Sequence, residues 1–244
     1  MKYFFSALKI LQNTLGKIVF VTFKPFFPVL ASKLYRVISG YWIYLNKAVT
    51  INKKRISKIS DTKKNKLFID CGVNTGFVLE KYQKALTKFK FEGFEIQKDI
   101  IKIARKSNPN AVIFNKAVAT FEGHQEIFIP KSYGYNYKGG STTIRNKYKD
   151  ENLFEKQIVE CIDFTNYLYE KKLSGYDFIV VKMDIEGAEY SIIDSLYKFF
   201  KKENIKLIDY LIIEFHPKTL RNIKNQDKYL KYLEKMDIEI SKWV

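Results

Sequence analysis

The chain has 244 residues, enough to bury a full core in one domain with an appendage, and its 46% hydrophobic and 16% aromatic content excludes a disordered polypeptide. The formal charge of +17 resembles a nucleic-acid signal until it is mapped. Residues 1–66 carry 14 of the 43 Lys and Arg but one of the 26 acids, Asp61, so this segment is +13 and residues 67–244 only +4. The bases are mostly lysine, with Arg36, Arg55, Arg105, Arg145 and Arg221 the only arginines, which weighs against sequence-specific nucleic-acid readout by bidentate contacts.

In chain order, Phe4, Leu8, Leu11, Leu15, Ile18 and Val19 recur at helical spacing, with Lys2, Lys9, Lys17 and Lys24 on the other face. Pro25 and Pro28 break that helix, and Leu30, Leu34, Val37, Tyr41 and Leu45 repeat the pattern. A Lys or Arg interrupts every window that could otherwise reach the roughly 18 apolar residues of a spanning helix, and the same lysines spoil a secretory signal. Residues 1–50 therefore read as an amphipathic basic helical segment. It either lies on an anionic membrane surface, through residues 1–45, or caps the domain that follows or a second subunit. Residues 51–65 read as a polar, basic connector. Cys71 and Cys161 form no CxxC or metal spacing and are expected as free thiols in a reducing cytosol, which places the protein in the cytoplasm or peripherally at a membrane.

From residue 66 the pattern alternates. Strands are predicted at Lys66–Asp70, Phe91–Glu95, Ala111–Asn115, Gln125–Ile129, Ile158–Cys161, Asp177–Met183, Ile208–Phe215 and Ile238–Trp243. Helices are predicted at Phe77–Phe89, from Gln97 to Lys106, after Asp163, from Ala188 to Lys201 and over Gln226–Met236. Strands separated by helices of about a dozen residues imply a mostly parallel sheet with helices on both faces, an α/β domain over residues 66–244. Ligands in such sheets bind beyond the carboxyl ends of the strands.

Several polar residues fall at those ends. DCGVNTG (Asp70–Gly76) follows the first strand: Gly72 would let backbone approach a ligand, Asn74 could bond a carboxylate or hold the turn, and Gly76 opens a helix. Glu95 ends the second strand 19 residues past Gly76, a placement suited to the two hydroxyls of a ribose. The turn reads DxGxxxG and lacks a third glycine, which fits a nucleoside bearing an amino-acid tail better than a dinucleotide. VVKMDIEGAEY (Val180–Tyr190) ends a buried strand with Lys182, Asp184, Glu186 and Glu189 around Gly187, and LIIEFH (Leu211–His216) ends the next with Glu214 and His216.

The order DCGVNTG, GFE, NKAVA, VVKMDIEGAEY, LIIEFH resembles the FkbM family of S-adenosylmethionine-dependent methyltransferases, over about residues 66–236; the KxDxEGxE element is the most distinctive part. The resemblance implies a Rossmann-like class I methyltransferase fold with S-adenosylmethionine as cofactor. Asp70, Gly72, Asn74 and Gly76 would then face its methionine part, Glu95 its ribose, and Asn115 to Ala117 its adenine. It also implies methylation of an oxygen, often on a sugar or another glycan or natural-product hydroxyl. The chain has one strand after its last helix, where this fold usually carries an antiparallel hairpin, and the loop Ser132–Thr143 is individual to it.

An alcohol acceptor must lose a proton, for which Asp184 is the first candidate and His216 the second. Lys182 could pair with Glu214 or Asp184 and hold the group in place. No metal is assigned: a divalent cation on Asp184, Glu186, Glu214 or His216 is conceivable, and a metal-free site is favoured. The tyrosines and glycines of Ser132–Thr143 suit a lid that stacks on sugars or bases. The rival function is an RNA methyltransferase or RNA-binding protein using the basic N-terminal segment, with nucleic acid the less favoured partner.

Overall fold

The computed structural model describes residues 15, 18, 41–131, 140–144, 152, 154–216 and 226–243. Most of the first two predicted helices and the tyrosine-rich part of the 132–143 loop lie outside the described residues; Leu15 and Ile18 are helical and exposed. The helices are α1 (Tyr41–Ile59), α2 (Phe77–Ala85), α3 (Lys98–Ser107), α4 (Phe164–Leu173), α5 (Glu189–Glu203) and α6 (Gln226–Lys235). The strands are β1 (Lys66–Cys71), β2 (Lys90–Phe94), β3 (Ala111–Phe114), β4 (Ala117–Ala119), β5 (Gly123–Pro130), β6 (Phe154–Asp163), β7 (Phe178–Met183), β8 (Tyr210–Ile213) and β9 (Glu239–Lys242).

Six strands form one sheet in the order β3-β2-β1-β7-β8-β9, and every pairing in it is parallel. The central strands are largely apolar because both faces are covered, with Asp70 of β1 and Lys182 of β7 the buried charges near their carboxyl ends. Alternation sends Leu67, Ile69, Val181, Met183, Leu211 and Ile213 into a core with α4, α5 and α6. The intervening Phe68, Val180, Tyr210 and Ile212 enter a second core with α1, α2 and α3. Strand order reverses between β1 and β7, which opens the cleft where ligands of such sheets bind. The final strand, β9, is parallel to β8, so no antiparallel hairpin ends the main sheet among the described residues.

A small second sheet, in the order β4-β6-β5, is inserted between β3 and α4. Strands β5 and β6 are an antiparallel pair around Ile127, Ile129, Val159 and Cys161, and β4, not expected from the sequence, runs parallel to β6. Thr142 exchanges backbone hydrogen bonds with Phe128 at 2.8 and 3.1 Å, which fixes the end of the 132–143 loop on this sheet.

Helix α1 corrects the connector reading of residues 51–65, since residues 51–59 are helical. Their composition is polar because Lys and Arg occupy the exposed faces, yet Leu45, Val49, Asn52 and Ile56 form one buried stripe against the domain. Asn52 is 2% exposed; its Nδ2 donates to the Tyr82 hydroxyl at 2.9 Å, and its Oδ1 accepts from the Tyr210 hydroxyl at 3.0 Å. This stretch is thus a cap on the sheet, one of the two arrangements left open by the sequence.

Asn52→Ala strips both tyrosine hydroxyls of this partner. It should lower unfolding free energy by about 2 kcal/mol, read as an earlier urea midpoint with unchanged slope. An unmoved midpoint would show that α1 is not part of the cooperative unit.

Candidate active site

Beyond the carboxyl ends of β1, β2 and β7 lies an open cavity of about 1050 Å³, mouth included. Its walls are the Gly72–Thr75 turn, the start of α2, Phe94–Gln97, Lys116–Val118, Gly140–Thr143 and the run from Lys182 to Ala188, with Trp243 closing one side.

The turn after β1 is built by two glycines. Gly72 has φ +89, and a Cβ there would lie 2.1 Å from the carbonyl oxygen of Asp184, so this glycine lets two backbone segments cross. Sequence reasoning assigned its close approach to a ligand; the partner is the β7 end. Gly76 has φ +80 and a Cβ would lie 2.2 Å from Nδ2 of Asn108, which donates to the Gly76 carbonyl. The amides of the turn are all engaged. Those of Gly72 and Val73 donate to the Phe94 carbonyl, Asn74 to Glu95 Oε2, Thr75 to Asn74 Oδ1 and Gly76 to the Val73 carbonyl. No amide of the turn is left to cradle a phosphate, which suits a ligand without one.

Glu95 is 5% exposed on the cavity wall, with Oε2 accepting from Asn74 N at 2.7 Å and Oε1 from Gln97 N at 2.9 Å. Burial pushes its carboxyl up to about 7, against the pull of the Gln97, Asn74 and Ile96 amides. Each carboxylate oxygen retains a lone pair for a ligand hydroxyl. Asn115 stands behind the wall and donates from Nδ2 to the Glu95 carbonyl at 2.8 Å, while Lys116, Ala117 and Val118 face the cavity.

Asp70 and Gly76 are likewise placed behind the surface rather than on it. Asp70 is fully buried and its Oδ1 accepts from Lys182 Nζ at 3.1 Å. Burial raises its carboxyl above the usual range, and the Lys182 ammonium offsets part of that. Lys182 also reaches Asp184 Oδ2 at 3.8 Å and lies 5.4 Å from the Trp243 ring centroid, so it links β1, the β7 end and the residue after β9. The expected Lys182–Asp184 pairing is present, and the principal partner, Asp70, was not anticipated. Cys71 is buried, which pushes its thiol up and leaves it inert.

The end of the cavity formed by β7 and β8 gathers the acids. His216 Nε2 lies 3.4 Å from Glu186 Oε2, 3.7 Å from Glu214 Oε1 and 3.8 Å from Asp184 Oδ1. Its Nδ1 donates to Oε1 of the fully buried Glu189 at 2.8 Å. Burial alone would lower the imidazole, but Glu189, Glu186 and Asp184 raise it to about 9. Burial and then the Asp184 charge push Glu214 up to about 7. Asp184 and Glu186 line the cavity; His216 and Glu214 stand behind them. Asp184, Glu186 and His216 offer donor atoms that all lie within 4.8 Å of one another, a set able to hold a cation.

Sequence reasoning gave no role to Glu189, Gln97 or Trp243, and took Ser141 and Thr142 only as part of a lid loop. Gln97 donates to Ser141 Oγ at 2.9 Å and Thr142 Oγ1 to the Glu186 carbonyl at 2.8 Å, which carries the loop end across the cavity from β2 to β7. Glu189 had a signal in its KxDxEGxE element; Trp243 had none.

Among solved structures, the chain is similar to the methyltransferase domain of bacterial CtHen1-C, at 14% identity over 79% of this chain and 85% of that chain, with a TM-score of 0.35. It is also similar to the plantazolicin methyltransferase BpumL in complex with SAH, at 14% identity over 95% of this chain and 76% of that chain, again with a TM-score of 0.35. Scores this low bear on neither acceptor nor mechanism. No curated protein matches the chain. The model of the methyltransferase FkbM domain matches residues 70–239, well over half the chain and the ends of β1, β2, β7 and β8, so the protein belongs to the FkbM family of S-adenosylmethionine-dependent methyltransferases.

Proposed function

We propose that this methyltransferase acts on a hydroxyl of a sugar or glycan, either lipid-linked or at a cell surface. The observation that carries the reading is the acceptor end of the cavity. Asp184 and Glu186 present carboxylates beside the polar run Ser141–Thr143 and the Trp243 ring. Carboxylates accept hydrogen bonds from hydroxyls, and an aromatic ring packs on a sugar face. The family resemblance, which implies an oxygen acceptor, supports the same reading.

The residues present fit S-adenosylmethionine. Glu95 is placed to accept from ribose hydroxyls, Phe94, Ala117 and Val118 offer apolar surface to adenine, and the phosphate-free Gly72–Thr75 turn would receive the methionine part. The cofactor supplies an electrophilic methyl carried on a sulfonium. The protein supplies alignment and a site shielded from water. Asp184 touches the cavity and takes the acceptor's hydroxyl proton. Lys182, at 3.8 Å, and His216, at 3.8 Å, steady that carboxylate from two sides. Glu214 is the second oxygen behind it.

We assign residues 66–244 to the methyltransferase domain, with α1 as its cap. The basic, aromatic-rich residues ahead of α1 would bring it to an anionic surface. No helix among the described residues is long and apolar enough to cross a membrane.

Three expectations test this reading. Because Glu95 sits at about 7, its accepting form grows as pH rises through that value. Affinity for S-adenosylhomocysteine, measured by calorimetry, should therefore fall several-fold between pH 8 and pH 6, and Glu95→Gln should flatten the dependence. With labelled cofactor and glycan, lipid-linked sugar and RNA fractions, the methyl should enter a sugar-bearing fraction. Label in RNA, lost steeply with salt, would sink the sugar reading. The full chain should cosediment with phosphatidylserine vesicles at low salt and release at high salt; equal binding to neutral vesicles would refute the electrostatic role of the N-terminal segment.

A further inference from the structure

We propose that Asp184, Glu186 and His216 form a binding site for one divalent cation at the acceptor end of the cavity, with Glu189 orienting the imidazole from behind. This deepens the hydroxyl-acceptor reading and rests on it for the purpose the ion would serve.

The geometry points to an ion and not to a loose group of acids. Cis ligands of an octahedral cation at about 2.1 Å sit roughly 3 Å apart. The distances from His216 Nε2 to Glu186 Oε2 and Asp184 Oδ1 are 3.4 and 3.8 Å, and all three donors lie within 4.8 Å of one another, so small side-chain movements would set them as three ligands of one ion. Glu214 Oε1, at 3.7 Å from the same nitrogen, is a fourth donor in reach. One neutral nitrogen with carboxylate oxygens is a donor set for Mn²⁺- or Fe²⁺-like ions.

The imidazole is built for this task. A carboxylate only accepts, so the Nδ1–Glu189 contact at 2.8 Å fixes a proton on Nδ1 and turns Nε2 towards the other acids, where a bound cation would displace to solvent the proton those carboxylates otherwise hold on Nε2. Glu189 lies outside the donor set and is itself pinned. Its Oε1 accepts from Ile185 N at 3.1 Å and its Oε2 from Gly187 N at 2.9 Å, both amides of the loop that carries Glu186. A buried carboxylate holding the far nitrogen of a ligating histidine is the usual support for a bound metal. The Lys182 ammonium does not serve instead: it lies 3.1 Å from Asp70 and only 3.8 Å from Asp184. Since Asp184 and Glu186 line the cavity, the ion would meet an acceptor hydroxyl there and ease loss of its proton.

The test is Mn²⁺ binding to the full chain after treatment with chelator. Electron paramagnetic resonance should show one bound ion per chain, with echo modulation from a single histidine nitrogen. His216→Ala should remove the modulation and weaken binding by tenfold or more. Glu186→Gln should weaken binding comparably, and Glu189→Gln by about 10-fold while keeping the nitrogen signal. Thermal melts and S-adenosylhomocysteine affinity report folding in each variant. No bound Mn²⁺ at millimolar concentration, or binding indifferent to His216→Ala and Glu186→Gln in folded protein, overturns the site. Methylation of a sugar fraction by protein that binds no Mn²⁺ overturns the site alone. Tight Mn²⁺ binding with no sugar methylated overturns the acceptor reading and leaves the site standing.

Discussion

The active site hangs on the junction where β1 and β7 end side by side. Asp70 pairs with Lys182 in the strand register, and their side chains form an ion pair buried to 0% and 2% exposure. Two residues on, Gly72 passes so close to the Asp184 carbonyl that no side chain fits between them. The Asp184 amide bonds the Cys71 carbonyl at 3.1 Å, which closes the junction. The turn that shapes the cofactor side and the loop that carries the acceptor-side acids are therefore one rigid unit. Burying such a pair gains little net energy, because desolvation consumes most of the Coulomb attraction, yet removing either partner would strand a charge at about 3–5 kcal/mol. The arrangement fixes geometry more than it adds stability. Lys182 extends it by reaching both Asp184 and the Trp243 ring.

Much of this architecture is written locally. A strand buried on both faces must be mostly apolar, so β1, β7 and β8 announce themselves, and the turns after β1 and β7 carry glycine at Gly72, Gly76 and Gly187, with Asn74 and Glu186 also at positive φ. Acids at the ends of those runs have to sit near a ligand cleft once the sheet is parallel, which made Glu95, Asp184 and Glu214 legible without coordinates. What was hidden depends on register between distant segments. The buried face of α1 includes Asn52, a polar residue satisfied by two tyrosines from α2 and β8, so its stripe is invisible to any reading by hydropathy. Glu189 and His216 stand 27 residues apart and meet because α5 begins beside the end of β8. Asp70 and Asn115 looked like ligand contacts; they are the struts behind the wall, a distinction that needs side-chain direction and not position.

Glu189 shows how an uncommon arrangement is sustained. A carboxylate with no exposed surface, and no lysine or arginine bonded to it among the described residues, carries a large desolvation cost. It opens α5, where the helix dipole favours negative charge, and two loop amides and one imidazole proton complete its bonding. The charge is thus held by backbone. The imidazole in turn keeps its Nε2 directed at Glu186, Glu214 and Asp184, at 3.4, 3.7 and 3.8 Å.

The two ends of the cavity consequently ask for opposite things. At the turn after β1 every backbone amide is spent inside the protein, so that end has no amide cradle for a phosphate. At the end of β7 and β8 three carboxylates converge on one imidazole, an excess of acceptors over donors. A ligand spanning the cleft must bring its own donors to that far end, as hydroxyl, ammonium or metal, and it gains nothing from phosphate at the near end. On the proposed reading a nucleoside sulfonium at one side and a hydroxylated acceptor at the other meet both conditions, because the acceptor's hydroxyls supply the donors that the carboxylates lack. A phosphate on either ligand would instead meet carboxylates at one end and spent amides at the other, and a polar group left unmet in a half-buried site carries its full desolvation cost.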